Sequence, residues 1–349
     1  MKVSLHYDKN DFKCILLSNI LKVFDSRKTQ QILAQYKVTP INRVVNILKT
    51  VMIALYYDTE ISYVVNELNR DNRLLKAYGI DNVFNRKQIS EFFSRFNDEI
   101  FYEVVIEVLN SINMKNNRGI RTIIVDGTDI RIDLNWFGRH VSKKKLENKP
   151  YKWGYSKSKG YYIGLKLTHV FDCKTMQPLA MLMHERTPND AKIFDEIVQE
   201  LKKRRILRKG DQIFFDRGYF SAKNYQMAIT KYKFVPLIFP RGKNPENKID
   251  DTISYTLDCF HKGNNDKSLF LSLKTQAMKK LRKWKEYKGI RSKIEDLNKL
   301  LKKCFALNKI HNYTKQSINK YTFLNVFLSG IVTSLDYRTK KDLQILAEM

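Results

Sequence analysis

The sequence predicts a mixed α/β domain that lies between two helical regions. Apolar residues recur every three or four positions before residue 117, short apolar runs ending in acids follow residue 118, and helical spacing returns late in the chain. The chain has 349 residues, and 43% of them are hydrophobic, which is enough to fill a sizeable core. We therefore expect a helical domain at 1–117, an α/β domain at 118–310 and a helical tail at 311–349.

The first region has the spacing of amphipathic helices. Apolar residues between Val44 and Leu55 form one helix face, and Pro40 stands just before it, where proline is tolerated. A second helical pattern runs from Ile89 to Val108. Gly79 and the Asp81-Asn82 pair predict a break between the two patterns.

The middle region alternates short apolar runs with helical patterns. Strands are predicted at 120–125, 161–171, 176–183, 213–215 and 234–239, with helices beginning after Asn189 and at Ala222. Three strands, a helix, a strand, a helix and a strand form the order expected of an RNase H-like core. Proline, glycine and asparagine then punctuate strand-like pieces such as Ser268–Leu273, which predicts a β-rich insertion at about 240–276. Helical spacing returns from Ala277 to about Leu307.

The charge balance predicts a polyanionic partner. The formal net charge is +28, which is typical of proteins that neutralise nucleic-acid phosphates, although a basic membrane-surface protein would share it. No stretch approaches the roughly 20 apolar residues of a membrane span, and the beginning lacks the pattern of a signal peptide. The four cysteines form no CxxC pair or zinc spacing. We expect a cytoplasmic protein.

Two acids follow two of the predicted buried strands. Asp126 ends the first apolar run, and Asp216 ends the fourth. Sites in open α/β sheets are built at such strand ends, although an aspartate there can also be a plain turn residue. Asp129 and Asp133 compete for the first position, and Asp126 is preferred because it directly ends the run.

A third acid stands in a stripe of functional side chains. Tyr287, Arg291, Glu295 and Lys302 are spaced by four, four and seven, which places them within an arc of roughly 80° on one helix. A solvated face with an Arg–Glu pair would show part of the same pattern. Together with Asp126 and Asp216, however, Glu295 completes a set of three carboxylates.

Three carboxylates suit metal-dependent phosphoryl transfer. They can bind two divalent cations about 4 Å apart, one beside the attacking oxygen and one beside the leaving oxygen. Oxygen ligands favour Mg²⁺ or Mn²⁺ over zinc. Arg291 and Lys302 would hold nearby phosphates, the first by a bidentate fork and the second as a point charge.

The motifs resemble those of the DDE transposases of bacterial and archaeal insertion sequences. The resemblance covers about residues 120 to 305 and is carried by Asp126-Gly127-Thr128, Lys152–Ser156, Gly164–Leu167, Asp216-Arg217-Gly218-Tyr219 and the Tyr287, Arg291, Glu295, Lys302 signature. Tyr287 precedes Arg291 by four positions, where the family usually has three. The resemblance implies an RNase H-like catalytic domain, an insertion before the glutamate helix and cut-and-paste transposition.

DNA contacts are predicted around the acids. Residues 274–293 contain nine basic residues and one acid, interleaved with Trp284 and Tyr287. Arg217 lies beside Asp216, and Tyr219 or Trp284 can stack on an unpaired base. The helix from Gln88, with its flanking basic residues, fits either a helix-turn-helix reader of terminal repeats or a plain dimerisation domain.

Three functions remain open at this point. The first is a transposase that acts on double-stranded DNA, namely terminal inverted repeats and target DNA. It is expected to form a homodimer on DNA, because the reaction brings two element ends together. The second is a metal-dependent nuclease without strand transfer. The third is a domesticated or relic transposase that binds DNA without cutting it. A prokaryotic cytoplasm, with association to the nucleoid when DNA is bound, is expected for the first.

Overall fold

The computed structural model describes residues 5, 7–112, 120–132, 152–156, 160–185, 188–240, 247–248, 251–252, 267–299, 301–302, 305, 307, 314–337 and 341–342. The chain divides into two compact units. The helical unit comprises Met1–Met114, Ile130–Pro150 and Asp296–Met349, and the α/β unit comprises Lys115–Asp129 and Tyr151–Glu295. The units therefore interleave along the chain, whereas the sequence suggested three consecutive domains.

The bounds of the elements are as follows. The helices are α1 (Phe12–Asp25), α2 (Arg27–Gln35), α3 (Ile41–Tyr56), α4 (Ile61–Arg70), α5 (Asn72–Tyr78), α6 (Arg86–Arg95), α7 (Asp98–Ile112), α8 (Asp190–Lys203), α9 (Ala222–Gln226), α10 (Lys267–Arg282), α11 (Lys288–Lys299) and α12 (Lys315–Ser334). The strands are β1 (Thr122–Arg131), β2 (Lys152–Ser156), β3 (Gly160–Asp172), β4 (Pro178–His184), β5 (Gln212–Phe215) and β6 (Val235–Ile238). Among the described helices, none is both long and apolar enough to span a bilayer.

The core of the helical unit is built around α3 and α12. Both helices bury residues on every side, which is typical of a helix surrounded by others. Helix α12 packs against α1, α3, α6 and α7. The late helical segment thus completes the core that the N-terminal helices begin. Pro40 stands immediately before α3, as predicted.

The helical pattern from Ile89 to Val108 corresponds to two helices and not to one. Helix α6 ends at Arg95, and α7 begins at Asp98. Between them the side chain of Asn97 accepts a hydrogen bond from the backbone N–H of Glu99 at 2.7 Å. A short polar side chain that binds the backbone in this way starts a new helix, although the apolar spacing continues across the break.

A buried ion pair joins three helices of this unit. The ammonium of Lys49, on α3, donates to both carboxylate oxygens of Asp25 at 2.6 and 2.8 Å and to the carbonyl of Gly79 at 2.6 Å. Gly79 ends α5 in the left-handed conformation, with φ of 59°, which confirms the predicted break there. The Lys49 side chain is 0% exposed, whereas that of Asp25 is 50% exposed.

The α/β unit contains a mixed sheet. Its strand order is β2-β3-β1-β5-β6, and β4 also pairs with β3. The β2–β3 and β3–β4 pairs are antiparallel, whereas β1–β5 and β5–β6 are parallel. This arrangement, together with the strand and helix order, is the predicted RNase H-like core. Strand β2, which the sequence did not predict as a separate strand, extends the edge formed by β3.

Several local predictions in this unit are confirmed. The side chain of Asn189 accepts from the backbone N–H of Ala191 at 3.0 Å and caps α8. Asp172 holds the turn between β3 and β4 by accepting from the backbone of Lys174 and Thr175, each at 2.9 Å. Strand β1 is longer than predicted, because it continues past Asp126 to Arg131.

The strand predicted at Ser268–Leu273 is wrong, since this segment forms the first half of α10. Phe270, Leu273, Ala277 and Leu281 recur at three- and four-residue spacing and are all buried. Helical periodicity therefore extends ten residues earlier than the sequence analysis placed it. The rest of the predicted insertion, at 241–246, 249–250 and 253–266, lies outside the described residues.

Candidate active site

Asp126 and Asp216 stand at the same edge of the sheet. The parallel ladder pairs Val125 of β1 with Phe215 of β5 as its last step, and the two acids come next in each strand. Neighbouring strands lie about 4.8 Å apart, so the two carboxylates leave the sheet side by side. Both residues are half-buried. Because β1 continues, Asp126 marks the point where β1 leaves β5, and not the end of the strand as predicted.

A cleft of about 1100 Å³ opens beside these acids. Its walls come from the part of β1 that follows Asp126, the turn after Asp216, the start of α8 and the β2–β3 hairpin. Asp129 and Asp216 contribute carboxylates, while Arg217 and Lys248 contribute cations. The cleft therefore carries both the oxygen ligands that suit a divalent cation and the positive groups that suit a phosphate.

A fourth acid enters the cleft from α8. The carboxylate of Asp190, the first residue of that helix, forms an ion pair with the ammonium of Lys166 on β3. Lys166 also donates to the carbonyl of Pro188 at 3.3 Å. From the sequence, Asp190 is expected near the site and is a candidate for a supporting role there, although capping of the helix by Asn189 is the preferred interpretation of this segment. Nothing local to Asp190 or Lys166 indicates that the two residues meet.

Glu295 lies on α11 in the same unit, with an exposed side chain. Within the described part of the chain, no three Asp, Glu, His or Cys residues converge on a point that could hold a metal ion. The structure thus brings Asp126 and Asp216 together but does not bring Glu295 into a group with them. Two carboxylates are enough for a Mg²⁺ site. In proteins, Mg²⁺ is commonly bound by one or two carboxylates, and its other oxygen ligands come from water and substrate phosphates.

Residues 117–328 match the family described as transposase DDE domain, and this match covers more than half of the chain. The chain belongs to the transposase DDE domain family. None of the curated proteins compared with it matches. One similar solved structure is a cryo-EM structure of a piggyBac transposase synaptic complex with hairpin DNA. It shares 12% identity with a TM-score of 0.42, over 97% of this chain and 80% of that chain.

In this transposase DDE domain, the predicted stripe of Tyr287, Arg291, Glu295 and Lys302 spans three helical pieces. Tyr287 ends a 3-10 turn, Arg291 and Glu295 lie in α11, and Lys302 follows the end of α11 in a π-type turn. The side chains of Arg291 and Trp284 lie outside the described residues. Lys302 falls in the segment assigned to the helical unit.

The Tyr287 ring packs on the sheet of the transposase DDE domain. Its centroid lies 5.6 Å from that of Phe214, and the ammonium of Lys280 lies 5.6 Å from the Tyr287 centroid. The ring is therefore part of the contact between the approach to α11 and β5. Tyr287 thus packs the approach to α11 against β5, and the DNA contact predicted for it from the sequence stays a prediction.

Tyr219 is fully buried, which removes its ring from any surface where DNA could contact it. The predicted stacking role of Tyr219 is therefore not retained. Burial raises the pKa of its phenol well above the usual value, and the carboxylates of Asp190, Asp126 and Asp216 raise the pKa further. The phenol is therefore neutral at pH 7 and is buried near these acids. An aromatic residue next to a strand end packs inward when the following turn folds back over the sheet.

Two aromatic residues that the sequence analysis missed stand at the cleft instead. Trp153 is 63% exposed and Tyr161 is 77% exposed, and both line it. The register pairs Trp153 with Ile163, and Tyr161 stands two residues from Ile163, so Trp153 and Tyr161 share one face of the hairpin. Diagonal neighbours of this kind are about 7–8 Å apart. Strand periodicity over Lys152–Ser156 was the signal that could have placed them.

A buried polar contact lies beneath the same cleft. The hydroxyl of Thr168 and Nε2 of His184 are 3.0 Å apart, and Nδ1 of His184 lies 3.5 Å from the carboxylate of Glu196. Burial, and to a lesser extent the nearby ammonium of Lys166, lower the pKa of His184 to about 4. The imidazole is therefore neutral at pH 7 and serves as a hydrogen-bonding link between β3 and β4.

Acidification is expected to destabilise the α/β unit through His184. The pKa of the unfolded histidine is about 6.5. Since the folded pKa is lower, the unfolded state binds the proton first, and stability present above pH 6.5 is lost as the pH falls toward 4. Urea unfolding at pH 7 and pH 5 should show a loss of about 2 kcal/mol from this residue. The His184→Gln variant should lack that increment, and an identical pH dependence in both proteins would contradict the assignment.

Proposed function

We propose that this chain is an active transposase that cleaves the DNA at the ends of its element and joins the freed 3′ ends to target DNA. The observation that carries the proposal is the placement of Asp126 and Asp216 at the end of the β1–β5 ladder, where Asp216 and the residue after Asp126 line the cleft. Glu295 is the proposed third acid, and it would join the other two when DNA and cations occupy the site. Its exposed position on α11 leaves the carboxylate accessible to a ligand.

Asp126, Asp216 and Glu295 would hold Mg²⁺ or Mn²⁺, two ions in all. Bound there, the ions would supply Lewis acidity for an in-line phosphoryl transfer. The chain's own cations have a separate task, because Arg217 and Lys248 line the cleft and can bind the phosphates that flank the scissile bond. Arg291 and Lys302 are proposed to extend this contact along the DNA. Each group would position double-stranded DNA, and none of them needs to read its sequence.

Bases near the cut are proposed to leave the duplex and stack on Trp153 and Tyr161. Stacked bases are spaced by about 3.4 Å, so the diagonal distance of about 7–8 Å between these residues leaves room for one base between the rings. A base inside a duplex is already stacked on both sides. The two exposed rings therefore favour an unpaired nucleotide as their ligand.

Replacing Trp153 by alanine is expected to weaken binding to element ends that carry unpaired bases by about 5- to 150-fold. This range corresponds to a stacking contribution of about 1–3 kcal/mol per base. Binding to fully paired end DNA should change far less, and Trp153→Phe should retain most of the affinity because it keeps a ring. Fluorescence anisotropy with the two DNA forms measures the difference. Equal losses on both forms would indicate that Trp153 contacts the duplex and not a free base.

Two other functions compete with the transposase. A nuclease with the same acids would cut DNA but would not join it, and a relic would bind DNA without reacting. The deciding experiment supplies a pre-cut element end with a free 3′ hydroxyl, target plasmid and Mg²⁺ or Mn²⁺. Joined products support the transposase. Cleavage of uncut ends without joining supports the nuclease, and binding without either product supports the relic.

The assembly and location follow from the same proposal. Bringing two element ends together requires at least two copies, so a homodimer on terminal inverted repeats is proposed. The reaction would take place in the prokaryotic cytoplasm, on the nucleoid. Size-exclusion chromatography with light scattering, with and without end DNA, tests the stoichiometry.

A further inference from the structure

The Asp190–Lys166 pair lies close both to Gly127, which follows Asp126 in β1, and to Gly218, in the turn after Asp216. A Cβ atom built on Gly127, the residue after Asp126, would stand 2.8 Å from Cε of Lys166 and 3.7 Å from the Asp190 carboxylate. A Cβ built on Gly218, two residues after Asp216, would stand 2.9 Å from Cγ and 3.0 Å from Cβ of Asp190. A side chain at Gly218 would therefore collide with Asp190, and one at Gly127 would require the end of the Lys166 side chain to move.

We propose that Asp190 and Lys166 form a positioning pair that sets the separation of Asp126 and Asp216 and lowers the cation concentration needed to fill the site. This inference rests on the proposed function, because it concerns the same two acids. It assigns a reason for the glycine that follows each acid in the sequence. In this proposal, the pair keeps the segment that contains Gly127 apart from the turn that contains Gly218.

The charges around the pair support this role. Asp190, Asp126 and Asp216 all act on the Tyr219 phenol, and Asp190 does so most strongly of the three. The Lys166 ammonium is held beside Asp190, since its side chain is 14% exposed and it is also bound to the Pro188 carbonyl. A fixed cation at this place reduces the mutual repulsion of the carboxylates.

Lys166 acts here through Asp190 and the backbone. Lys166 also lines the cleft, but its ammonium is already engaged by the Asp190 carboxylate and the Pro188 carbonyl. Its charge also reaches His184, whose pKa it lowers. The pair therefore belongs to the frame of the site, and partners of this kind typically change metal affinity or activity by about 10- to 100-fold when removed.

The test uses the full chain with the substitutions Asp190→Asn, Lys166→Met and Lys166→Arg. The first readout is the Mn²⁺ concentration that gives half of the thermal stabilisation, which requires no reaction. We expect Asp190→Asn and Lys166→Met to raise that concentration by about 10-fold or more and to lower kcat for end cleavage by about 10- to 100-fold. The KM for end DNA should stay within about twofold of wild type, and Lys166→Arg should restore most of the Mn²⁺ response, because it keeps the charge.

Two further variants separate positioning from loss of folding. Gly218→Ala leaves both charges in place but takes the space of the Asp190 side chain, and it should reproduce the shift in Mn²⁺ dependence. Asp195→Asn is the matched control, since Asp195 also lies on α8 but binds Lys231 and Tyr232. It should leave the Mn²⁺ response and kcat unchanged. The double variant Asp190→Asn, Lys166→Met should show no larger change in Mn²⁺ response and kcat than the more impaired single variant. The reason is that each single variant already removes the same interaction.

The outcomes distinguish this inference from the proposed function. If Asp216→Asn abolishes cleavage while Asp190→Asn and Lys166→Met keep the wild-type Mn²⁺ response and kcat, the positioning pair is refuted and the transposase stands. If Lys166→Arg and Lys166→Met are equally impaired, the charge has no part in the effect and the inference fails. If Asp216→Asn cuts as well as wild type, the proposed function itself fails.

Discussion

Replacing Glu295 by glutamine is expected to reduce cleavage of element-end DNA by about a thousandfold while DNA binding persists. A carboxylate that helps to hold a catalytic cation contributes several kcal/mol to the transition state, and each 1.36 kcal/mol corresponds to about a tenfold change in rate. Because the Glu295 side chain is exposed, the substitution costs little folding stability. Cleavage of labelled end DNA in Mg²⁺, alongside binding in Ca²⁺, measures the two effects separately.

Glu286 supplies the matched control for this experiment. It lies in the same basic stretch, is exposed, and contacts Lys283 at 3.5 Å. Glu286→Gln removes one negative charge close to the same helix and should cut like wild type. If Glu295→Gln also cuts like wild type, Glu295 is not the third acid and α11 loses its assignment. If both variants lose DNA binding, the stretch acts through its charge and not through one carboxylate.

Replacing Asp25 by alanine is expected to destabilise the helical unit by about 3 kcal/mol, and by more than Lys49→Met does. Removing one partner of a buried pair leaves the other charge uncompensated, at a cost of about 3–5 kcal/mol. The lower end applies because Asp25 is half-exposed and part of its charge is screened by water. Lys49 remains fully buried in the Asp25 variant, with only the Gly79 carbonyl as a described partner.

The order of the two variants is the informative result. Lys49→Met removes the buried ammonium itself and leaves a carboxylate that water can reach, so it should cost roughly 1 kcal/mol. Native-state hydrogen exchange of the α3 amides reports the opening of this unit without interference from the other. Arg70→Ala, which breaks an exposed pair with Glu67, should leave α3 unchanged. A larger loss for Lys49→Met than for Asp25→Ala would contradict this expectation and show that the acceptors left without the ammonium, Asp25 and the Gly79 carbonyl, cost more than an uncompensated buried ammonium.

Local sequence signals predicted much of the site. An apolar run followed by an acid was sufficient to place Asp126 and Asp216 next to each other, because the parallel β1–β5 ladder ends just before both residues, although β1 itself continues past Asp126. Helix starts were also legible where a side chain caps the backbone, as at Asn189. Pro40 and Gly79 gave correct breaks for the same local reason, since each limits the backbone of its own residue.

The features that sequence analysis missed all depend on distant parts of the chain. Lys166 and Asp190 are 24 positions apart and meet only because β4 returns the chain to α8. The sequence predicted that Tyr219 contacts DNA, but the turn after β5 buries its ring. The strand predicted at Ser268–Leu273 failed because turn residues just before it masked a helical spacing that continues into α10. Each case is a tertiary contact overriding or completing a local preference.

The placement of α12 has a consequence for the order in which the protein folds during synthesis. Helix α12 packs extensively on α7 and also contacts α1 and α3, and it leaves the ribosome only after the entire α/β unit. The α/β unit has all its segments by Glu295 and can fold while the N-terminal helices still expose apolar faces. The first helices to be made are thus the last to be covered, and we expect nascent chains stopped before Lys315 to be the species that bind chaperones and aggregate.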